Sequence, residues 1–101
     1  QAPLRGGEFV TRPIVFKGNQ LEINYSTSAA GSVRVEIQDV AGKPIPGYTL
    51  GEAHELYGDS LSLVAAWTGK ETDVSSLAGT PVRLRFVVRD ADLYSYQFRQ
   101  T

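Results

Sequence analysis

The stretch LRFVVRDADLYSYQF, residues 84–98, decides the fold, because its two halves alternate with period two on either side of an acidic step. With the preceding "VR", Val82, Leu84, Phe86 and Val88 share one phase while Arg83, Arg85 and Arg89 share the other, the pattern of a half-buried strand. Tyr94, Tyr96 and Phe98 fall in a single phase of their own and predict a second strand. Asp90, Ala91 and Asp92 lie between the two, where acids favour a connection, so the stretch reads as a hairpin with the acids at its tip. Two carboxylates at i and i+2 also open an EF-hand loop, but the glycine and bidentate glutamate such a loop requires do not follow. A glycosidase pair is a poorer fit still, since those carboxylates face each other across a cleft, usually from separate elements.

The same alternation extends outward. In SVRVEIQDV, Val33, Val35 and Ile37 oppose Arg34, Glu36 and Gln38, and in LEINYS, Leu21, Ile23 and Tyr25 are in phase. The small residues TSAAGS between these two runs predict a second hairpin turning near Gly31. AGKPIPGYT carries Gly42, Pro44, Pro46 and Gly47, which cannot continue a ladder and must turn the chain. LSLVAAW places Leu61, Leu63, Ala65 and Trp67 on one side of a further strand, and EFVTRPIVFKG gives one or two short strands interrupted by Pro13, as suits an edge or a bulge. No helical pattern of the kind needed for βαβ units is present. About seven short strands with turns every 8 to 12 residues predict an all-β fold, an antiparallel β-sandwich of jelly-roll-like form.

A chain of 101 residues suits one domain, 1–101, with its core over about 6–98. A formal net charge of -1 supplies no field to gather nucleic acid or anionic lipid. The absence of cysteine excludes a disulfide framework, a thiolate metal site and a thiol nucleophile. No apolar run approaches the roughly 20 residues of a membrane span. Methionine is absent even from position 1, which leads us to expect a domain excised from a larger protein.

GDSLS, residues 58–62, matches the signature of an esterase class whose serine is the nucleophile. That chemistry needs a histidine base, carried in that class by an Asp-x-x-His step near the C-terminus, and none occurs here. The only histidine, His54, precedes Ser60 and sits in GEAHELYGDS among Glu52, Glu55 and Asp59, too sparse a set for a metal site. NYS, residues 24–26, satisfies the minimal glycosylation sequon but falls inside a predicted strand.

The connection from Tyr48 to Asp59 spans about 12 residues, a length at which loops tend to carry function. Tyr48 and Tyr57 on that loop are the stacking candidates for a sugar ring, with His54 and Asp59 as polar neighbours. Trp67 is the largest aromatic to weigh with them, though its register with Leu61 and Leu63 points it toward the core. Arg83 and Arg85 share an outward face with Arg89. Cross-strand ion pairs with Glu22 and Glu36 account for such a face, and a polar platform for sugar hydroxyls or an acidic sugar is its functional alternative.

Taken as a whole, the run from GGEFVTRPIVF through LEINYSTSAAGSVRVEI, AGKPIPGY, the GDS step and the Trp soon after it, to LRFVVRDADLYSYQF, resembles a known tail domain. This is the C-terminal β-sandwich accessory domain of secreted bacterial proteins whose preceding domain looks like a five-bladed-propeller glycosidase. The likeness runs from about Gly6 to Phe98 and rests on glycines, core apolars and turn acids, which specify a fold and transfer no binding residue. It implies a secreted, monomeric, non-catalytic module that binds a polysaccharide and raises the local concentration of an attached glycoside hydrolase. Jelly-roll modules of this kind often carry structural calcium, although no cluster in this sequence demands it. The rival expectation is a structural appendage that packs against its catalytic neighbour and binds no sugar.

Overall fold

The computed structural model describes residues 4–101, and for residues 4, 5 and 59–62 the backbone alone. The fold is all-β and antiparallel. Four strands, β1 (Leu4–Val10), β2 (Gln20–Gln38), β3 (Asp59–Val64) and β4 (Arg83–Arg99), form one sheet in the order β1-β4-β2-β3. A single turn of 3-10 helix, Ser75–Leu77, lies between β3 and β4.

Neither predicted hairpin forms. Residues 83–99 are one strand and residues 20–38 another, and the two pair with each other from Gln20 opposite Arg99 to Gln38 opposite Arg83. Both sets of small and acidic residues that signal turns act together as one bulge. Thr27 faces Ala91 and Ser32 faces Arg89, so residues 28–31 of β2 stand against Asp90 alone. Asp90 takes the left-handed conformation, with φ 47. Gly31 is there because the strands approach closely. A Cβ on it would lie 2.7 Å from the Arg89 carbonyl oxygen and nearer still to that of Asp90. Alternation resumes with the same face inward after such a bulge, which is why periodicity alone does not separate it from a hairpin.

The bulge bends both strands. Nineteen residues in straight extension would reach about 60 Å at the usual rise, yet the longest dimension of the molecule is 34 Å. The N-terminal half of β2 pairs with β3 on its other side, and β1 flanks residues 85–93 of β4. Pro13 falls after the edge strand β1 has ended, ahead of an isolated bridge between Ile14 and Val82, which agrees with its expected place. The loop after residue 44 runs along the remaining edge of β2: Ile37 N–H donates to Tyr48 O at 3.0 Å, and Val33 exchanges backbone bonds with Leu56.

The core draws on both halves of the bent pair. Leu21, Ile23 and Tyr25 meet Val33, Val35, Ile37, Val82, Leu84, Phe86 and Val88, all buried in the phases expected. Two inward assignments change. Tyr94 is exposed because the register shifts there: Asn24 faces Ser95 while Tyr25 faces Leu93, leaving Tyr94 as the extra residue. Leu63, on the edge strand β3, is also exposed. The outward face is less solvated than alternation suggests, since Glu22, Glu36 and Gln38 are all buried. Glu36 is covered by the loop, whose Leu50 N–H donates to its carboxylate at 3.1 Å. No buried side-chain nitrogen or oxygen lacks a hydrogen-bond partner among the described residues.

Candidate functional site

The bridge between Val33 and Leu56 sets the residues beside it. Antiparallel register brings Arg34 against Glu55 and Ser32 against Tyr57, while across β2 on the other side Ser32 faces Arg89. Five side chains, those of Arg89, Ser32, Arg34, Glu55 and Tyr57, are thereby gathered on the outer face beside the bend.

Tyr57 is 60% exposed, the most open aromatic ring among the described residues, yet its backbone is held firmly. Its carbonyl accepts from the buried Tyr25 hydroxyl at 2.6 Å, and the next residue, Gly58, is tied to Thr27 by an N–H donated to Oγ1 at 2.7 Å. The Tyr57 hydroxyl donates to Glu55 Oε1 at 2.9 Å. That bond first, and the Ser32 hydroxyl second, hold the Glu55 carboxyl below the usual carboxylate range, with the charges of Arg34 and Arg89 adding to the effect. The same bond to Glu55 raises the Tyr57 phenol above its ordinary value. At neutral pH the pair is therefore an ionised acceptor and a protonated donor, fixed in role. An open ring with a carboxylate and guanidinium groups around it can stack on the C–H face of a sugar and hydrogen-bond its hydroxyls.

Of the residues that the sequence nominates, Tyr57 is in this cluster and several others are elsewhere. Trp67 is fully buried, with its indole N–H donated to Val35 O at 2.9 Å, so it has no face to offer a ligand. Tyr48 is buried too. The bond from Ile37 N–H to its carbonyl draws it to the sheet edge, its ring meets Trp67 edge-on at 5.3 Å, and its hydroxyl donates to Asp73 O at 2.8 Å. Tyr48 is corrected from stacking candidate to core, and Trp67, weighed beside it as a ligand contact, takes the core position that its register favours. Arg83 donates to the carbonyls of Val40 and Thr11 at 3.0 and 3.1 Å, pinning two connections. Arg85 is clamped between Glu8 at 2.8 Å and Glu36 at 3.2 Å, the cross-strand ion pairing expected of that face. The His54 imidazole is exposed, with Nε2 3.5 Å from Thr68 Oγ1. The side chains of Asp59 and Ser60 lie outside the described residues, while their backbone opens β3.

Arg34 and Glu55 are members of the cluster that the sequence does not nominate for binding, while Arg89 belongs to the outward arginine face weighed as a polar platform. The alternation of VRVEI and of VVRD does place both arginines outward. What it cannot supply is the pairing of Leu56 with Val33 that sets the loop beside them. Among the described residues no group of three or more His, Asp or Glu converges as metal ligands, and no helix is long and apolar enough to cross a membrane.

Comparison with known protein families, with curated proteins and with solved structures returns no match to this chain.

Proposed function

We propose that this chain is a non-catalytic carbohydrate-binding module, folded as a jelly-roll-like β-sandwich and attached, in a secreted bacterial protein, to a glycoside hydrolase. The observation that carries the reading is Tyr57: a ring 60% exposed on a backbone pinned from both sides, bordered by Glu55, Arg34 and Arg89. Exposed aromatic rings cost solvation unless a partner covers them, and a pre-organised ring loses little entropy when a sugar does so. The bend that folds β2 and β4 back over one core supports the sandwich, with the two halves of the bent pair as its layers. The likeness of the chain to tail domains of propeller glycosidases supports the attachment. Such a module makes no covalent change; it holds its enzyme near a polymer, with micromolar to millimolar affinity per site expected of so small a contact.

Affinity electrophoresis of the domain in gels cast with plant and algal polysaccharides tests the proposal. Retardation by at least one polymer is expected, and Tyr57→Ala should abolish it while leaving the thermal melt nearly unchanged, because the ring contributes little to the core. Phe9 and Val10, exposed along the free edge of β1, favour a second reading in which that edge packs against a neighbouring domain. A well-folded wild type that no polymer retards would select it.

A further inference from the structure

We infer that the Tyr57 surface selects an anionic sugar, a carboxylated or sulfated residue of a glycan, through the guanidinium groups of Arg34 and Arg89. The inference rests on the carbohydrate-binding reading and names its ligand class. The other described arginines of the two long strands are consumed within the fold. Arg83 is spent on two carbonyls, Arg85 on Glu8 and Glu36, and Arg99 on Glu22. The guanidinium groups of Arg34 and Arg89 make no hydrogen bond or ion pair with any described residue, although the charge of each reaches Glu55. Arg89 is exposed and Arg34 half-buried, and the register sets them two residue pairs apart beside the open ring.

A guanidinium presents a planar fork that suits two oxygens of a carboxylate or sulfate, which a neutral sugar does not offer. Glu55 does not cancel the site. Its carboxylate is engaged by the Tyr57 and Ser32 hydroxyls and forms no ion pair with either guanidinium among the described residues. The whole chain carries a formal charge of -1, so the attraction is local and should be screened by salt. Asp90, exposed and next to Arg89 in the chain, brings a further carboxylate to the bend, and Asp90→Asn is expected to tighten anion binding.

The test uses the same gels with three kinds of probe: polygalacturonate for carboxylate, a carrageenan for sulfate, and neutral xylan and arabinan. Wild type, Arg34→Gln, Arg89→Gln and Tyr57→Ala are compared at two salt concentrations, with thermal melts confirming that each is folded. Expected is retardation by an anionic polymer, weakened about 10- to 100-fold by loss of either guanidinium, the range of a charge-assisted bond, and weakened by salt. Which anionic gel retards the chain distinguishes carboxylate from sulfate. Retardation by the neutral polymers at least as strong as by the anionic ones would overturn the inference and leave the module reading standing. Anionic retardation that both arginine variants retain would also overturn it. No retardation in any gel would remove both readings together.

Discussion

Trp67 and Tyr57 exchange the roles that size alone suggests. The larger ring is the centre of the core and the smaller one, in a loop, is the open face. Alternation with Leu61 and Leu63 points Trp67 inward, and Trp67 is buried although Leu63 is exposed, so the phase names the right ring without holding along the whole run. The division between Tyr48 and Tyr57 is not, since both sit on one polar connection with no periodicity to sort them. A single backbone bond, from Ile37 N–H to Tyr48 O, turns the first into core, and the bridge at Leu56 leaves the second outside. Trp67 can be tested directly. Trp67→Phe removes the only donor among the described residues to the Val35 carbonyl on that edge and should cost about 1–3 kcal/mol for the buried acceptor left unpaired. Trp67→Ala should cost about 3–5 kcal/mol for the cavity as well. Both are read from urea denaturation. Neither should change polysaccharide retardation at temperatures where the protein remains folded, whereas retardation lost at unchanged stability would return the indole to the binding surface.

Among the elements, the strand phases are legible and their connection is not. Every inward residue of 21–25, 33–37 and 82–88 is correctly placed, because hairpin and bulge alike keep the same face inward. Which of the two forms is decided by contacts between residues far apart in the chain. TSAAGS could turn back on itself, as could RDADL, but each instead finds the other, and Gly31 lies over the carbonyls of Arg89 and Asp90. Long-range pairing of this kind leaves no local signature. It does leave a prediction. Gly31→Ala forces a Cβ into that backbone and should destabilise by at least about 1 kcal/mol, whereas a hairpin tip at the same position would tolerate alanine with little change. Asp90→Gly acts in the opposite direction. Glycine adopts φ 47 without steric cost, so this variant should be neutral or more stable, by up to about 1 kcal/mol. Equal, small effects from the two substitutions, measured by thermal melting, would contradict the bulge.

At the scale of the molecule the described ionisable groups place the limits of stability in pH. Burial alone would raise the Glu36 carboxyl, but hydrogen bonds from Gln38, from Leu50 N–H and from Arg85, with the Arg85 charge, outweigh it and leave the group below the usual carboxylate value. Glu52, Glu55 and Asp73 are lowered as well, chiefly by hydroxyl or hydroxyl and backbone donors around them. A carboxyl whose value is lowered in the folded state contributes stability that is present above its unfolded value, about 4.3 for Glu, and lost as pH falls through the folded value. The Tyr25 phenol moves the other way, raised by burial. Its contribution is present below about pH 10 and lost as pH rises through the folded value. The melting temperature should therefore hold a plateau between about pH 5 and 10 and decline on both sides. Glu36 is the most deeply buried of these carboxylates, and it ties β2, β4 and the loop together. Glu36→Gln should accordingly lower the melting temperature at pH 7 and converge on the wild type as both approach pH 3, since the protonated wild-type side chain and glutamine are then alike in charge. Calorimetry of the two proteins across that range decides it. Parallel curves would mean that the acid limit arises elsewhere, and convergence would identify the charge of this one buried carboxylate as part of what holds the loop carrying Tyr57 against the sheet.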